Sequence, residues 1–170
     1  MKLRPIEPAD CDLVASWLGE ERNYRWLHFG PGTQVLTDVA LRVMLERDLH
    51  CLRMYTDADG MPVGIAAFSN IDREFGTATL WYVLGDKQYA GRGYTTRAVS
   101  RLLRHGFREL GLASVQAWTV ETNRAGQRVL QRNGFRFIGR LRKCHRIDGR
   151  LLDRLLYDLV AAEHRERAAA

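Results

Sequence analysis

The hydrophobic and polar positions of the chain follow two periods, one typical of strands and one typical of helices. β-Branched and aromatic residues are concentrated in the run 77–84 (TATLWYVL), as in a strand. In the run 95–110, Ala98 and Leu102 share one side of a helix and Arg97 and Arg101 the other. The pattern predicts strands at 49–56, 61–70, 77–84, 114–120, 135–145 and 151–160, and helices at 11–18, 37–46, 95–110 and between Asn123 and Asn133.

Turn signals separate these elements. The pairs Asp59-Gly60 and Asp148-Gly149 are strong hairpin signals between flanking strands. Asn123 suits the first capping position of a helix, and Asn133-Gly134 suits its end. The mixture of strands and helices predicts an α/β or α+β layered fold in a single domain over the whole chain, with a tail that frays from residue 162 onward.

A glycine-rich segment, Gln88-Tyr89-Ala90-Gly91-Arg92-Gly93-Tyr94, lies between a predicted strand and a predicted helix. Such a turn gathers free backbone N–H groups at the positive end of the helix dipole, which favours binding of phosphate oxygens. No lysine follows Gly93, so the segment is not a P-loop, and Thr96 stands at the third glycine position of a dinucleotide fingerprint.

Two further segments complete a pattern. Residues 123–135 begin with Asn123 and end with Gly134-Phe135, and residues 3–10 (LRPIEPAD) precede an amphipathic helix. Together with the glycine-rich segment they resemble the GNAT superfamily of acyl-CoA-dependent N-acetyltransferases, over nearly the whole chain. The pattern is most similar to the group that includes ribosomal-protein and small-amine acetyltransferases.

The resemblance implies a fold and a cofactor site. The implied fold is a central, mostly antiparallel, twisted sheet with two splayed parallel strands, flanked by helices. Acetyl-CoA would be the co-substrate, and it would lie at the carboxyl ends of the splayed strands. The residues implied to bind it are Tyr82, Val83, Leu84, Gln88, Tyr89, Ala90, Gly91, Arg92, Gly93, Tyr94, Thr95, Asn123 and Arg128.

The implied reaction transfers an acetyl group to a primary amine by direct attack in a ternary complex. Relatives often carry acid or base side chains at three positions that are held here by Leu130, Gly126 and Thr79 (or Ala78). Glu121, at the end of a parallel strand, is the remaining candidate base. A protein N-terminus, a polyamine, an aminoglycoside, an amino sugar and an amino acid all stay open as acceptors.

The aromatic segment 19–32 is predicted to be irregular and to supply part of an acceptor pocket. Trp17, Tyr24, Trp26 and Phe29 are candidates for its walls, and His28 is a candidate lining residue. An acyl-CoA-binding module with weak or no catalysis is the alternative function, because the usual acid and base positions are empty.

Charge and cysteine content limit the partners. The net charge is +6, with arginine concentrated on the face Arg97, Arg101, Arg104 and Arg108 and in the hairpin 136–150, where His145 is one of the basic residues. Solvated faces explain both groups better than nucleic-acid binding does. The three cysteines fit no metal site or disulfide framework, and no run resembles a membrane span or signal peptide. These features predict a cytoplasmic enzyme without membrane contact, and a homodimer is left open.

Overall fold

The computed structural model describes residues 1–29 and 35–164. Seven strands form one sheet in the order β1-β2-β3-β4-β5-β7-β6. The strands are β1 (Leu3–Pro5), β2 (Cys51–Thr56), β3 (Pro62–Asp72), β4 (Thr77–Leu84), β5 (Ser114–Val120), β6 (Arg136–Ile147) and β7 (Arg150–Val160). The helices are α1 (Cys11–Gly19), α2 (Glu21–Tyr24), α3 (Asp38–Leu45), α4 (Tyr94–Arg108) and α5 (Arg124–Arg132).

Strand pairing is antiparallel everywhere except between β4 and β5. These two parallel strands pair at Thr77 with Ser114, Ala78 with Val115 and Thr79 with Gln116, and the pairing then stops. Beyond Thr79, β4 remains paired with β3 as far as Leu84, while β5 remains paired with β7 as far as Val120. The two strands therefore diverge toward their carboxyl ends, as the resemblance implied.

The helices cover both faces of the sheet, and each face has its own hydrophobic core. On one face, Trp17, Leu18 and Leu41 from α1 and α3 pack with Met54 and Ile65 of the central strands. On the other face, Leu102, Leu103 and Leu130 from α4 and α5 pack with Tyr55, Phe68 and Leu159 of the sheet. Because helices cover both faces of the sheet, the side chains of the central strands are apolar on both faces.

The predicted elements are confirmed, with differences at their ends and two additions. β1 and the short helix α2 were not predicted. α2 lies inside the segment 19–32, so this segment is not irregular throughout, and residues 30–34 of it lie outside the described residues. At the carboxyl end, Ala161–Glu163 form a single helical turn, and residues 165–170 of the predicted tail lie outside the described residues.

Both predicted hairpin turns are present. Asp148 and Gly149 have φ angles of 48° and 74°. Positive φ at both central residues is the geometry that best matches the twist of paired strands. Among the described residues, no helix combines the length and the apolar character needed to cross a membrane. Within the same residues, no cluster of His, Cys, Asp or Glu has an arrangement suited to a metal ion.

His145 on β6 is an exception within the basic hairpin, because it is buried with only 2% of its surface exposed. Its Nε2 lies 2.7 Å from the backbone oxygen of Arg25 and its Nδ1 accepts hydrogen bonds from the guanidinium of Arg154 at 3.1 and 3.3 Å. These partners fix the neutral imidazole with hydrogen on Nε2. Burial lowers the pKa of His145; the hydrogen bond to the Arg25 backbone oxygen opposes this effect, and the charges of Arg154 and His28 add to it. The prediction of a solvated His145 was therefore wrong.

The buried neutral His145 predicts a loss of stability in mild acid. Its pKa is lower in the folded chain than its unfolded value of about 6.5, so the unfolded chain binds the proton more readily below that pH. The stabilisation is complete above pH 6.5 and is lost as the pH falls through the lower, folded pKa. We expect His145→Gln to reduce the free energy of unfolding by about 1–2 kcal/mol at pH 7.5.

Urea denaturation of both proteins between pH 5 and 8 measures this effect. The difference in free energy of unfolding between wild type and His145→Gln should shrink below pH 6.5. Taking the difference removes the contributions of His28 and His50, whose pKa values are also lowered by burial. A difference that stays constant over this range would contradict the assignment of a neutral, buried imidazole.

Candidate active site

Two cavities meet at the gap between the diverging carboxyl halves of β4 and β5. The loop cavity, of about 360 Å³, lies beside the glycine-rich segment and α5. The aromatic cavity, of about 680 Å³, lies between the sheet and the segment 26–29. Five residues line both cavities: Trp26, Leu27, Tyr82, Asn123 and Gly126. A molecule in one cavity can therefore present its end to a molecule in the other.

The glycine-rich segment has the geometry that its sequence predicts. Gly91 and Gly93 have φ angles of 76° and 75°, a region that favours glycine, and Gly93 caps the amino end of α4. A Cβ atom added at Gly91 would meet nothing within 4 Å. A hydrogen bond of 2.7 Å, donated by Tyr89 Oη to the carboxylate of Asp57, joins the segment to the turn after β2. This bond lowers the pKa of Asp57 and raises that of Tyr89 to about 12.

The loop cavity brings together most of the residues implied to bind the cofactor. All of them line it except Gln88 and Arg92. The Gln88 side chain instead donates to Asp86 at 2.6 Å, and the Arg92 guanidinium lies 5.7 Å from the ring of Tyr89. A cofactor contact by Gln88 or Arg92 stays a prediction, as does binding by the residues that line the cavity.

The lining of the loop cavity is basic. Arg22, Lys87, Arg128 and Arg132 contribute to it, and its described lining contains no carboxylate. Lys87 donates hydrogen bonds to Asn23 Oδ1 and to the backbone oxygen of Leu84, which fixes its ammonium group in the wall. Burial lowers the pKa of Lys87. Sequence reasoning identified Arg128 but missed Arg22 and Lys87, which are brought to the cavity by α2 and by the turn after β4.

Hydrogen bonds between β4 and α5 define the gap. Tyr82 on β4 donates from Oη to the backbone oxygen of Gly126 at 2.9 Å, and burial raises the pKa of this phenol. Asn123 Oδ1 accepts from the backbone N–H of Gly126 at 3.0 Å, which confirms its predicted role as the cap of α5. The hydroxyl of Thr119 is buried and has no hydrogen-bond partner among the described residues. Sequence reasoning missed Thr119, since nothing local distinguishes it from any strand threonine.

The three positions that lack acid or base residues have structural explanations. Leu130 is fully buried in the core under α4. A Cβ atom at position 126 would lie 2.8 Å from Thr119 Oγ1 and 2.9 Å from Asn123 Nδ2, so the serine of relatives does not fit without movement. Thr79 forms the last pair of β4 with β5, before the gap opens.

Glu121 lies outside both cavities. Its carboxylate accepts the backbone N–H of Asp153 at 3.0 Å, and Arg140 lies 3.8 Å away. These contacts join the end of β5 to β7. The catalytic role of Glu121 stays a prediction, and its surroundings indicate a structural role.

The aromatic cavity has walls of tryptophan, phenylalanine and tyrosine. Trp26 and Phe29 line it as expected, whereas Trp17 is packed in the core and Tyr24 lies outside the lining. Trp81 and Tyr82, neighbours on β4, both line this cavity. The remaining aromatic walls come from β5 and β7, namely Trp118 and Tyr157.

Two histidines, His28 and His50, also line the aromatic cavity. Burial lowers the pKa of both, with a further contribution from Arg154 at His28 and from Arg47 at His50. Both imidazoles are therefore neutral near pH 7 and can accept a proton. His28 follows Trp26 and Leu27, which line both cavities, whereas His28 itself lines only the aromatic cavity.

Comparison with known proteins agrees with this architecture. The family model of the acetyltransferase (GNAT) domain matches residues 1–136. The uncharacterized N-acetyltransferase p20 of Bacillus licheniformis is 25% identical over 169 residues, covering 96% of this chain and 94% of that protein.

Solved structures share the fold over almost the whole chain. Spermidine N-acetyltransferase from Vibrio cholerae, in complex with CoA and spermine, has a TM-score of 0.85 at 16% identity, covering 95% of this chain and 96% of that chain. The ribosomal-protein-S5-alanine acetyltransferase from Vibrio fischeri has a TM-score of 0.77 at 22% identity, covering 96% and 94%. Since the family model spans most of the sequence, the chain belongs to the GNAT acetyltransferase family and is an acyl-CoA-dependent N-acetyltransferase with acetyl-CoA as its co-substrate.

Proposed function

We propose that acetyl-CoA occupies the loop cavity, that the acceptor amine occupies the aromatic cavity, and that the acetyl group is transferred through the gap. The observation that carries this proposal is the set of residues shared by the two cavities, among them Tyr82, Asn123 and Gly126. The positive lining of the loop cavity suits the phosphates of the coenzyme. A module that only binds acyl-CoA is not favoured, because a second cavity opens where the thioester would lie.

The transfer is a direct displacement in a ternary complex. The amine nitrogen attacks the thioester carbonyl carbon, a C–N bond forms, the C–S bond breaks, and sulfur leaves as the thiolate. Backbone groups on the edge of β4 beyond Thr79 have no partner on β5, so N–H groups there can stabilise the oxyanion. A thiol has a pKa of about 8.5, so the leaving group needs little assistance. Placement of the two substrates supplies much of the rate.

The amine must lose a proton, because a free alkylamine has a pKa of about 10.4. We assign this proton, directly or through water, to His28, which lines the aromatic cavity beside the gap. Its lowered pKa keeps the imidazole ready to accept a proton at neutral pH. Glu121 is the competing candidate from the sequence, and the hydrogen bond to Asp153 disfavours it.

The acceptor is a primary amine. The structural neighbours named above act on spermidine and on a ribosomal protein, and their names indicate the range of acceptors that this fold serves. The single domain and the cytoplasmic location stay predictions from the sequence, and the homodimer stays open.

Gly91→Glu tests the placement of the coenzyme. The added side chain would occupy the open space at Gly91, with a φ of 76° that strains any non-glycine residue, and its charge would repel the diphosphate. We expect the dissociation constant for CoA, measured by calorimetry, to rise by about 100-fold, equivalent to about 2.8 kcal/mol.

Gly111→Glu is the matched control. Gly111 has a φ of 68° and equally open surroundings, but it lies outside both cavities, so the same strain and charge should leave CoA affinity unchanged. Unchanged CoA affinity in a folded Gly91→Glu protein would overturn the proposed position of the diphosphate.

His28→Gln and Glu121→Gln together identify the base. In the wild type, kcat should decline in acid with an apparent pKa below 6.5, since burial lowers the pKa of His28 and only the neutral imidazole accepts the proton. His28→Gln should lower kcat by about 100-fold and remove this decline.

Glu121→Gln should keep both kcat and the acidic decline. Steady-state kinetics between pH 5 and 9, at saturating acetyl-CoA, distinguishes the two residues. Loss of the decline in Glu121→Gln, with an unaltered profile in His28→Gln, would assign the base to Glu121.

A further inference from the structure

The aromatic cavity has no negative charge in its described lining. Its polar side chains in the described lining are neutral amides, hydroxyls and imidazoles. An acceptor amine therefore finds aromatic surface and neutral hydrogen-bonding groups, and no carboxylate to balance a second positive charge.

A positive charge lies next to one wall of this cavity, although Arg154 is not itself one of the lining residues. The guanidinium carbon of Arg154 is 4.1 Å from the ring centroid of Trp118, and Trp118 lines the cavity. Arg154 lies two residues before Leu156 on β7, so both residues are on the face of the sheet that carries the cavity. The charge of Arg154 also acts on His28, which lies in the cavity wall.

Arg154 has no acidic partner within 4 Å among the described residues. Its guanidinium contacts the ring of Trp118 and the neutral Nδ1 of His145, and burial lowers the pKa of Arg154. Other arginines of the hairpin and its surroundings have such partners, as in the pairs Arg25 with Asp148 and Arg140 with Asp153. A half-buried guanidinium without a counter-ion is unfavourable, and an anion from outside the chain would stabilise it by forming an ion pair.

A polyamine or an aminoglycoside is a poor fit to these features. Each additional ammonium group would be removed from water without a carboxylate partner, which is unfavourable. An aromatic face can replace part of that hydration through cation–π contact, but Arg154 already occupies a face of Trp118. The same guanidinium repels a second cation in the cavity.

We propose that the acceptor is a small amine with an aromatic or aliphatic body and a carboxylate, of the kind found in amino acids, and that the carboxylate pairs with Arg154. This inference rests on the proposed function, because it concerns the occupant of the aromatic cavity. The body packs on the tryptophan and phenylalanine walls, the amine points to the gap, and Arg154 discriminates in favour of acidic acceptors. The cavity volume of about 680 Å³ suits a molecule of this size.

Matched pairs of amines test the inference with the full chain and acetyl-CoA. One pair is phenylalanine and phenethylamine, and the second is 4-(aminomethyl)benzoate and benzylamine, which places the carboxylate farther from the amine. Spermidine and a peptide with a free N-terminus complete the panel. Release of free thiol gives kcat/KM for each compound. We expect at least one carboxylate to exceed its partner by about tenfold, and spermidine to be the poorest acceptor.

Arg154→Gln is the decisive variant. It should reduce kcat/KM for the favoured carboxylate by about tenfold more than it reduces kcat/KM for the uncharged partner, because any effect of Arg154 on His28 is common to both amines. Since each amine is compared with itself in wild type and variant, its intrinsic basicity cancels. Arg154→Lys keeps the charge and should restore part of the loss. Arg146→Gln, an exposed arginine of the same hairpin, is the matched control and should change neither member of the pair.

The outcomes separate this inference from the function on which it rests. Preference for spermidine or for the peptide N-terminus, or an equal effect of Arg154→Gln on both members of a pair, overturns the carboxylate proposal while amine acetylation stands. Binding of CoA without turnover of any amine overturns the proposed function itself. Calorimetry with CoA on Arg154→Gln and Arg154→Lys verifies that both variants are folded.

Discussion

The separation of β4 from β5 after three residue pairs is the constraint on which the whole site depends. Unpaired strand edges inside a folded chain are costly, because backbone N–H and C=O groups there lose water without gaining partners. The chain meets part of this cost with side chains and helix ends. Tyr82 bonds across to the backbone of α5, and Asn123 caps the same helix. The groups that stay unpaired are those that can bind a substrate.

The same constraint explains why this chain departs from the pattern of its relatives. The phenol of Tyr82 reaches the first turn of α5 from the strand, and Gly126 is needed there because a Cβ atom would collide with Thr119 and Asn123. Leu130, one turn later, faces the core under α4. The usual acid and base positions are thus occupied by packing residues, which is why the proposed function assigns proton transfer to a residue of the aromatic cavity.

Local signals were sufficient to predict the fold and the part of the site that the glycine-rich segment forms. Gly91 and Gly93, the cap at Asn123 and the hairpin turn at Asp148 each depend on the backbone within a few residues, so their sequences identify them. The acceptor side could not be predicted in this way. Trp118, Leu156 and His28 come from β5, β7 and a loop far apart in sequence, and only the strand register brings them together.

His145 and Arg154 show why non-local contacts also determine the charge of a site. In the sequence they look like two more basic residues of a solvated hairpin, and most of their neighbours are exposed as that pattern predicts. The register of β6 with β7 instead buries His145, whose neutral ring accepts hydrogen bonds from Arg154 and so holds its guanidinium on Trp118. One buried imidazole thereby fixes both the backbone before Trp26 and the cation on the ring of Trp118. The glycine-rich wall of the loop cavity is therefore encoded in a contiguous motif, whereas the lining of the aromatic cavity depends on strand pairing.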